Sequence, residues 1–137
     1  MALSYSYLWE ISEVLETLDL KRIIKIMENN NELKQTVSWG GRTCFWYKGS
    51  VEEGTTIFYG TKLTKRFITK EVYSEIREKF RRVYCNIGSS QQDPPKNSVG
   101  HYLKDKHNIS GMAGYIGAIL VTEGYAEKNQ SYIKIYK

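Results

Sequence analysis

The chain has 137 residues, with 20 Lys and Arg against 15 Asp and Glu, for a net charge of +5 and a pI near 9.1. Its 41% hydrophobic and 26% charged residues are those of an ordinary globular protein and exclude a disordered tail, a collagen repeat or a disulfide scaffold. The purely apolar run Ala118–Val121 is too short to span a bilayer, and the first residues lack the charged head and apolar middle of a signal peptide, so an intracellular, cytoplasmic protein without a membrane partner is expected.

In chain order, Leu8, Ile11, Leu15 and Leu18 follow a 3-4-3 spacing, and Ile23, Ile24 and Met27 continue an apolar face until Asn29-Asn-Asn31. This predicts helix over 6–29, as one bent helix or two short ones. From Gln35 to Leu63 the β-branched and aromatic runs Thr36–Trp39, Thr43–Tyr47 and Thr55–Tyr59, separated by glycine-rich turns, predict an antiparallel sheet of two or three strands. Thr69 caps a helix running to about Arg82, whose apolar face is Val72, Ile76, Phe80 and Val83. A short strand at 82–87, a proline-containing loop at 88–96 and a helix capped by Asn97 or Ser98 and closed by Asn108 follow. A third helix is predicted from Ser110 to Glu123 with Met112, Ile116, Ile119 and Leu120 inward, ended by Gly124, and then a hairpin over 125–136.

The expected fold class is therefore α+β: N-terminal helices and a small sheet over 1–66, and 67–137 as a second unit packed against it. The order helix, strand, helix, turn, helix, hairpin resembles the winged helix-turn-helix superfamily. In Ala113–Lys128, Leu120, Gly124 and Tyr125 stand where that family has a Leu-x-x-x-Gly-aromatic corner between its third helix and first wing strand. The resemblance implies double-stranded DNA binding, with Ser110–Glu123 as the reading helix and Lys128–Ser131 as the wing tip.

Charge placement supports an anionic partner. The window 61–82 holds eight basic residues, Lys62, Lys65, Arg66, Lys70, Arg77, Lys79, Arg81 and Arg82, against three glutamates. Such a block can follow a phosphate backbone; equally, it can be a solvated helix flank with internal Glu–Lys pairs. Lys62, Lys65, Arg66, Arg77, Arg81 and Arg82 are the expected phosphate contacts, with Lys96, Lys104, Lys106, Ser110, Tyr115 and Lys128 beside them. The outward face of the third helix, however, carries no Lys, Arg, Asn or Gln to read base edges. Its small residues Gly111, Gly114, Gly117 and Ala118 instead suggest close packing on the N-terminal helices or on a second subunit. A protein-interaction or homodimer module is thus the alternative function.

RNA binding by exposed Trp39, Trp46 and Tyr47 is a variant of the first reading. A nucleic-acid-processing enzyme using Glu52, Glu53 and Lys62 is a third. No catalytic residue, cofactor or metal is expected: Cys44 and Cys85 form no Cys-x-x-Cys pair and are expected as buried free thiols, and His101 and His107, expected as solvated side chains, lie near neither.

Overall fold

The computed structural model of this protein describes residues 33–90 and 92–137. The helices expected over 6–29 lie outside the described residues. Seven strands and three helices follow: β1 (Lys34–Val37), β2 (Cys44–Ser50), β3 (Gly54–Tyr59), β4 (Thr64–Ile68), α1 (Lys70–Phe80), β5 (Tyr84–Asn86), α2 (Val99–His107), α3 (Ala113–Thr122), β6 (Ala126–Asn129) and β7 (Tyr132–Ile135). The fold is α+β.

β1 to β4 form one antiparallel sheet in sequence order, so the first sheet has four strands rather than two or three. The extra strand, Thr64-Lys-Arg-Phe-Ile68, lies inside the basic window. Among the described residues it is an edge strand pairing with β3 alone, and such strands carry charge where central ones carry apolar residues. Its lysine and arginine hide the pattern that marks a half-buried strand.

Thr69 caps α1 by accepting a hydrogen bond from the Val72 amide at 3.3 Å. The helix lays Val72, Tyr73, Ile76 and Phe80 inward, and buried Tyr73 and Thr55 share a 2.6 Å hydrogen bond that ties it to β3. Ser98 caps α2 through the His101 amide, and Asn108 closes it in the left-handed region, φ +54°. α3 begins three residues later than expected: Met112 is its first flanking residue and no side chain caps it, so the hydroxyl of Ser110 is not spent on the helix start. Its other end has the full glycine-closed form. Gly124 sits at φ +84°, its amide bonds to the Val121 carbonyl, and the Tyr125 amide bonds to the Leu120 carbonyl at 2.8 Å. The chain then turns through Gln130, φ +55°, and returns as β7, the central strand of a second sheet in the order β5-β7-β6.

One hydrophobic core runs through both sheets. It joins Phe45, Tyr47 and Ile57 of the first sheet, Ile76 and Phe80 of α1, Ile116, Ile119 and Leu120 of α3, and Ile133 and Ile135 of β7. α3 lies between the two parts of the chain, touching both β1 and β6. A carboxylate pins it there: Glu123, at its end, accepts hydrogen bonds from Tyr47 Oη at 2.8 Å and the Val51 amide at 3.1 Å, with Lys34 Nζ at 3.3 Å. Burial and this acceptor push the Tyr47 phenol well above its ordinary range, so it stays protonated and donates to Glu123. No helix among the described residues is long and apolar enough to cross a membrane.

Candidate nucleic-acid interface

The glycine side of α3 is covered by the protein itself at Gly114 and Gly117. Trp39, in the β1–β2 turn, packs its ring on the glycine face. A Cβ added to Gly117 would stand 2.6 Å from Ile87 Cδ1 and 2.9 Å from Trp39 Cε3. The Trp39 amide bonds to the Gly114 carbonyl at 3.2 Å, and Thr36 and Thr122 share a hydroxyl hydrogen bond at 2.9 Å. Gly117 and Ala118 are buried, and Gly111 and Gly114 are half-buried. The small face expected to meet either the N-terminal helices or a second subunit is, among the described residues, met at Gly114 and Gly117 by Trp39 from the β1–β2 turn. Small residues serve a simple purpose here: an indole lies flat against the helix only where Cβ atoms are absent.

The same tryptophan takes up the wing tip. Its Nε1 donates to the Gln130 carbonyl at 2.8 Å, while the Lys128 ammonium donates to the Trp39 carbonyl and sits 5.2 Å from the centre of its ring. Tyr115 is half-buried between Phe45, at 4.9 Å edge to face, and Tyr59, at 5.1 Å. Ser110 is exposed but lies outside α3. The expected reading helix, wing lysine and Tyr115 thus serve packing. Trp39, Trp46 and Tyr47, expected as exposed rings for RNA, are all buried.

The basic block divides. Lys62 lies in the β3–β4 turn; Lys65 and Arg66 are neighbours on β4 and therefore point to opposite faces of the sheet. α1, eleven residues and about 16 Å long, separates them from Arg77, Arg81 and Arg82 at its other end. There this end of the block meets the last strand. The Arg82 amide bonds to the Ile135 carbonyl at 2.7 Å, and Arg81 bridges Ile135. Arg77 donates from Nε to the Lys137 carbonyl and lies 4.5 Å from the Tyr125 ring centre. α1 thus delivers Arg77, Arg81 and Arg82 to the end of β7, which brings Lys134 and Lys137. Lys104 and Lys106 stand about 200° apart around α2, and Lys104 Nζ is turned to the Gln92 carbonyl at 2.8 Å. Lys96 is exposed in the loop before α2.

Comparison with protein-family models, with curated proteins and with solved structures finds no match.

The geometry gives no support to an assembled reaction centre on the residues considered. Glu52 and Glu53 lie in the β2–β3 turn and Lys62 in the β3–β4 turn, at opposite ends of a strand about 20 Å long, and Glu52 Oε1 accepts the Tyr125 hydroxyl at 2.9 Å. Among the described residues, no group of His, Cys, Asp and Glu is arranged to hold a metal ion. Cys44 is exposed rather than buried, because it sits where β2 starts at the sheet margin; Cys85 is half-buried, and burial raises its thiol to about 11. His107, expected in solvent, is half-buried, with its ring 5.7 Å from that of Tyr102 and its Nε2 3.4 Å from Glu75 Oε2.

Sequence reasoning passed over Tyr84, Tyr132 and Tyr136. Inward Ile133 and Ile135 fix the pleat of β7, so Tyr132, Lys134 and Tyr136 stand on its outer face. Register sets Tyr84 and Glu127 on either side of Lys134, and Asn86 and Asn129 on either side of Tyr132. The three tyrosines are 52%, 48% and 43% exposed in chain order. Tyr84 Oη donates to Glu127 Oε1 at 2.6 Å, and Lys134 Nζ lies 5.2 Å from the Tyr84 ring and 5.9 Å from that of Tyr136. The signal lay in Tyr132-Ile-Lys-Ile-Tyr136, whose alternation marks two apolar residues for the core and leaves three polar or aromatic ones outside.

Proposed function

We propose that this chain binds double-stranded DNA without catalysis, through phosphates, and that residues 67–137 form a winged-helix-type module. The order helix, strand, helix, helix, hairpin and a sheet in the order β5-β7-β6 support the module. The observation that carries the function is that Arg77 of α1, and Arg81 and Arg82 just past its end, lie against the end of the last strand, with Lys134 on that strand and Lys137 just past it. Five basic residues carried by two adjoining segments supply charge that a phosphate backbone would neutralise, with release of its counterions.

Since Trp39 covers the face that would read bases, binding through this patch is independent of sequence. The test is the affinity for random duplex as a function of salt. We expect a steep fall, and an Arg81→Ala/Arg82→Ala variant should lower the log–log slope by about 2, since each phosphate no longer neutralised takes about 0.9 from it. A flat salt dependence, or no binding at about 50 mM salt, removes this reading.

A further inference from the structure

We infer that the outer face of the β5-β7-β6 sheet is a stacking platform for unpaired bases, on which Tyr84, Tyr132 and Tyr136 receive the bases of a single-stranded nucleic acid. The inference rests on the nucleic-acid reading above and extends it from duplex phosphates to strands whose bases are free.

The rings form an ordered array. Tyr132 opens β7 and Tyr136 directly follows its last residue, four residues and about 13 Å on along the extended chain, and Tyr84 lies one strand over, opposite Lys134 between them. Each of the three residues is roughly half exposed, and a contiguous exposed patch of large side chains on one face is a feature of binding surfaces. Glu127 organises two of them by accepting both phenols, Tyr84 at 2.6 Å and Tyr136. Those bonds, Tyr136 first, hold the Glu127 carboxyl below the usual carboxylate range and push Tyr136 up to about 12. The rings of Tyr84 and Tyr136 are therefore held before a ligand arrives, which reduces the entropy lost on binding.

The surroundings favour a nucleic acid over a protein partner. Arg81 and Arg82 border the end of β7 and Lys134 stands within the array, against one carboxylate already engaged by two phenols. Asn86 and Asn129 flank Tyr132, and amides can bond to base edges. Asn86 spends its Oδ1 on the Gly88 amide at 2.8 Å, which leaves its NH2 as the donor. A stacking surface of this kind takes bases only when they are not already stacked inside a duplex, and every base has a π face, so the platform selects strandedness rather than sequence.

The test compares a fluorescein-labelled thymidine oligonucleotide of about fifteen residues with random duplex, by anisotropy on the full chain. Tyr132→Ala should weaken strand binding about ten-fold and leave duplex affinity unchanged, while Tyr132→Phe should bind the strand like wild type. Strand affinity untouched by Tyr132→Ala combined with Tyr136→Ala overturns the platform. So does wild-type protein that binds duplex but no single strand, which leaves the phosphate reading standing; binding of neither ligand sinks both. Sedimentation supplies the remaining outcome: if Tyr132→Ala turns a dimer into a monomer, a second copy occupies this face and the inference fails.

Discussion

Two glycines three residues apart on α3 should respond to alanine with opposite signs. At Gly114 the nearest neighbouring atom to an added Cβ is Trp39 Cβ at 3.5 Å, an ordinary contact. The gain in helix propensity, reduced near the helix start, then stabilises Gly114→Ala by roughly 0.5 kcal/mol. At Gly117 the same methyl meets Ile87 Cδ1 at 2.6 Å, Trp39 Cε3 at 2.9 Å and Trp39 Cζ3 at 3.0 Å. Both neighbours are buried and cannot swing into solvent. Overpacking of this severity costs about 2–3 kcal/mol, against about 1 kcal/mol of propensity gained, leaving Gly117→Ala less stable by roughly 1–2 kcal/mol. Urea unfolding followed by tryptophan fluorescence would read this as a midpoint lowered by about 0.5–1 M. Adding Ile87→Val removes the closest atom, so it should cost less in the Gly117→Ala background than in wild type. Equal stability of the two alanine variants, or a Gly114→Ala protein weaker than Gly117→Ala, would refute the packing of Trp39 on this helix.

Other consequences can be checked alongside. Gly100→Ala should lose on the order of 3 kcal/mol or fail to fold, since its Cβ would collide with the Gly88 carbonyl where β5 hands over to α2; thermal unfolding reads this. Glu123→Ala strips acceptors from the buried Tyr47 hydroxyl and the Val51 amide and should cost about 3 kcal/mol, whereas Tyr47→Phe, which leaves the carboxylate its other two partners, should cost about half as much by the same measurement. Alkylation with iodoacetamide at pH 8 should label exposed Cys44 rapidly and half-buried Cys85 slowly. Because the folded Cys85 thiol is raised, the stability it contributes is intact below the unfolded thiol value near 8.5 and is lost as pH rises toward about 11; a Cys85→Ser protein should lack that part of the decline.

Much of the architecture was written in local signals. Thr69, Ser98, Asn108 and Gly124 mark helix ends by their own chemistry, and the alternation in 132–136 fixes which side of β7 is buried; such features depend on neighbours a few residues away. α3 was legible as a helix but its start was not, because Ser110 offers a capping hydroxyl that the backbone does not use. β4 was obscured because an edge strand tolerates the charges that mask its alternation.

The interface depended on long-range placement. Composition and spacing established a basic chain of α+β type, with a glycine-lined helix that demanded something close against it. Only tertiary structure decided what that was: Trp39, brought 75 and 78 residues away in sequence to Gly114 and Gly117 by a β-turn that no periodicity encodes. The charges divided for the same reason. Sequence places eight basic residues within one window, but a strand sends neighbouring side chains to opposite faces and a helix carries its two ends apart, so the fold set which of them meet the end of β7.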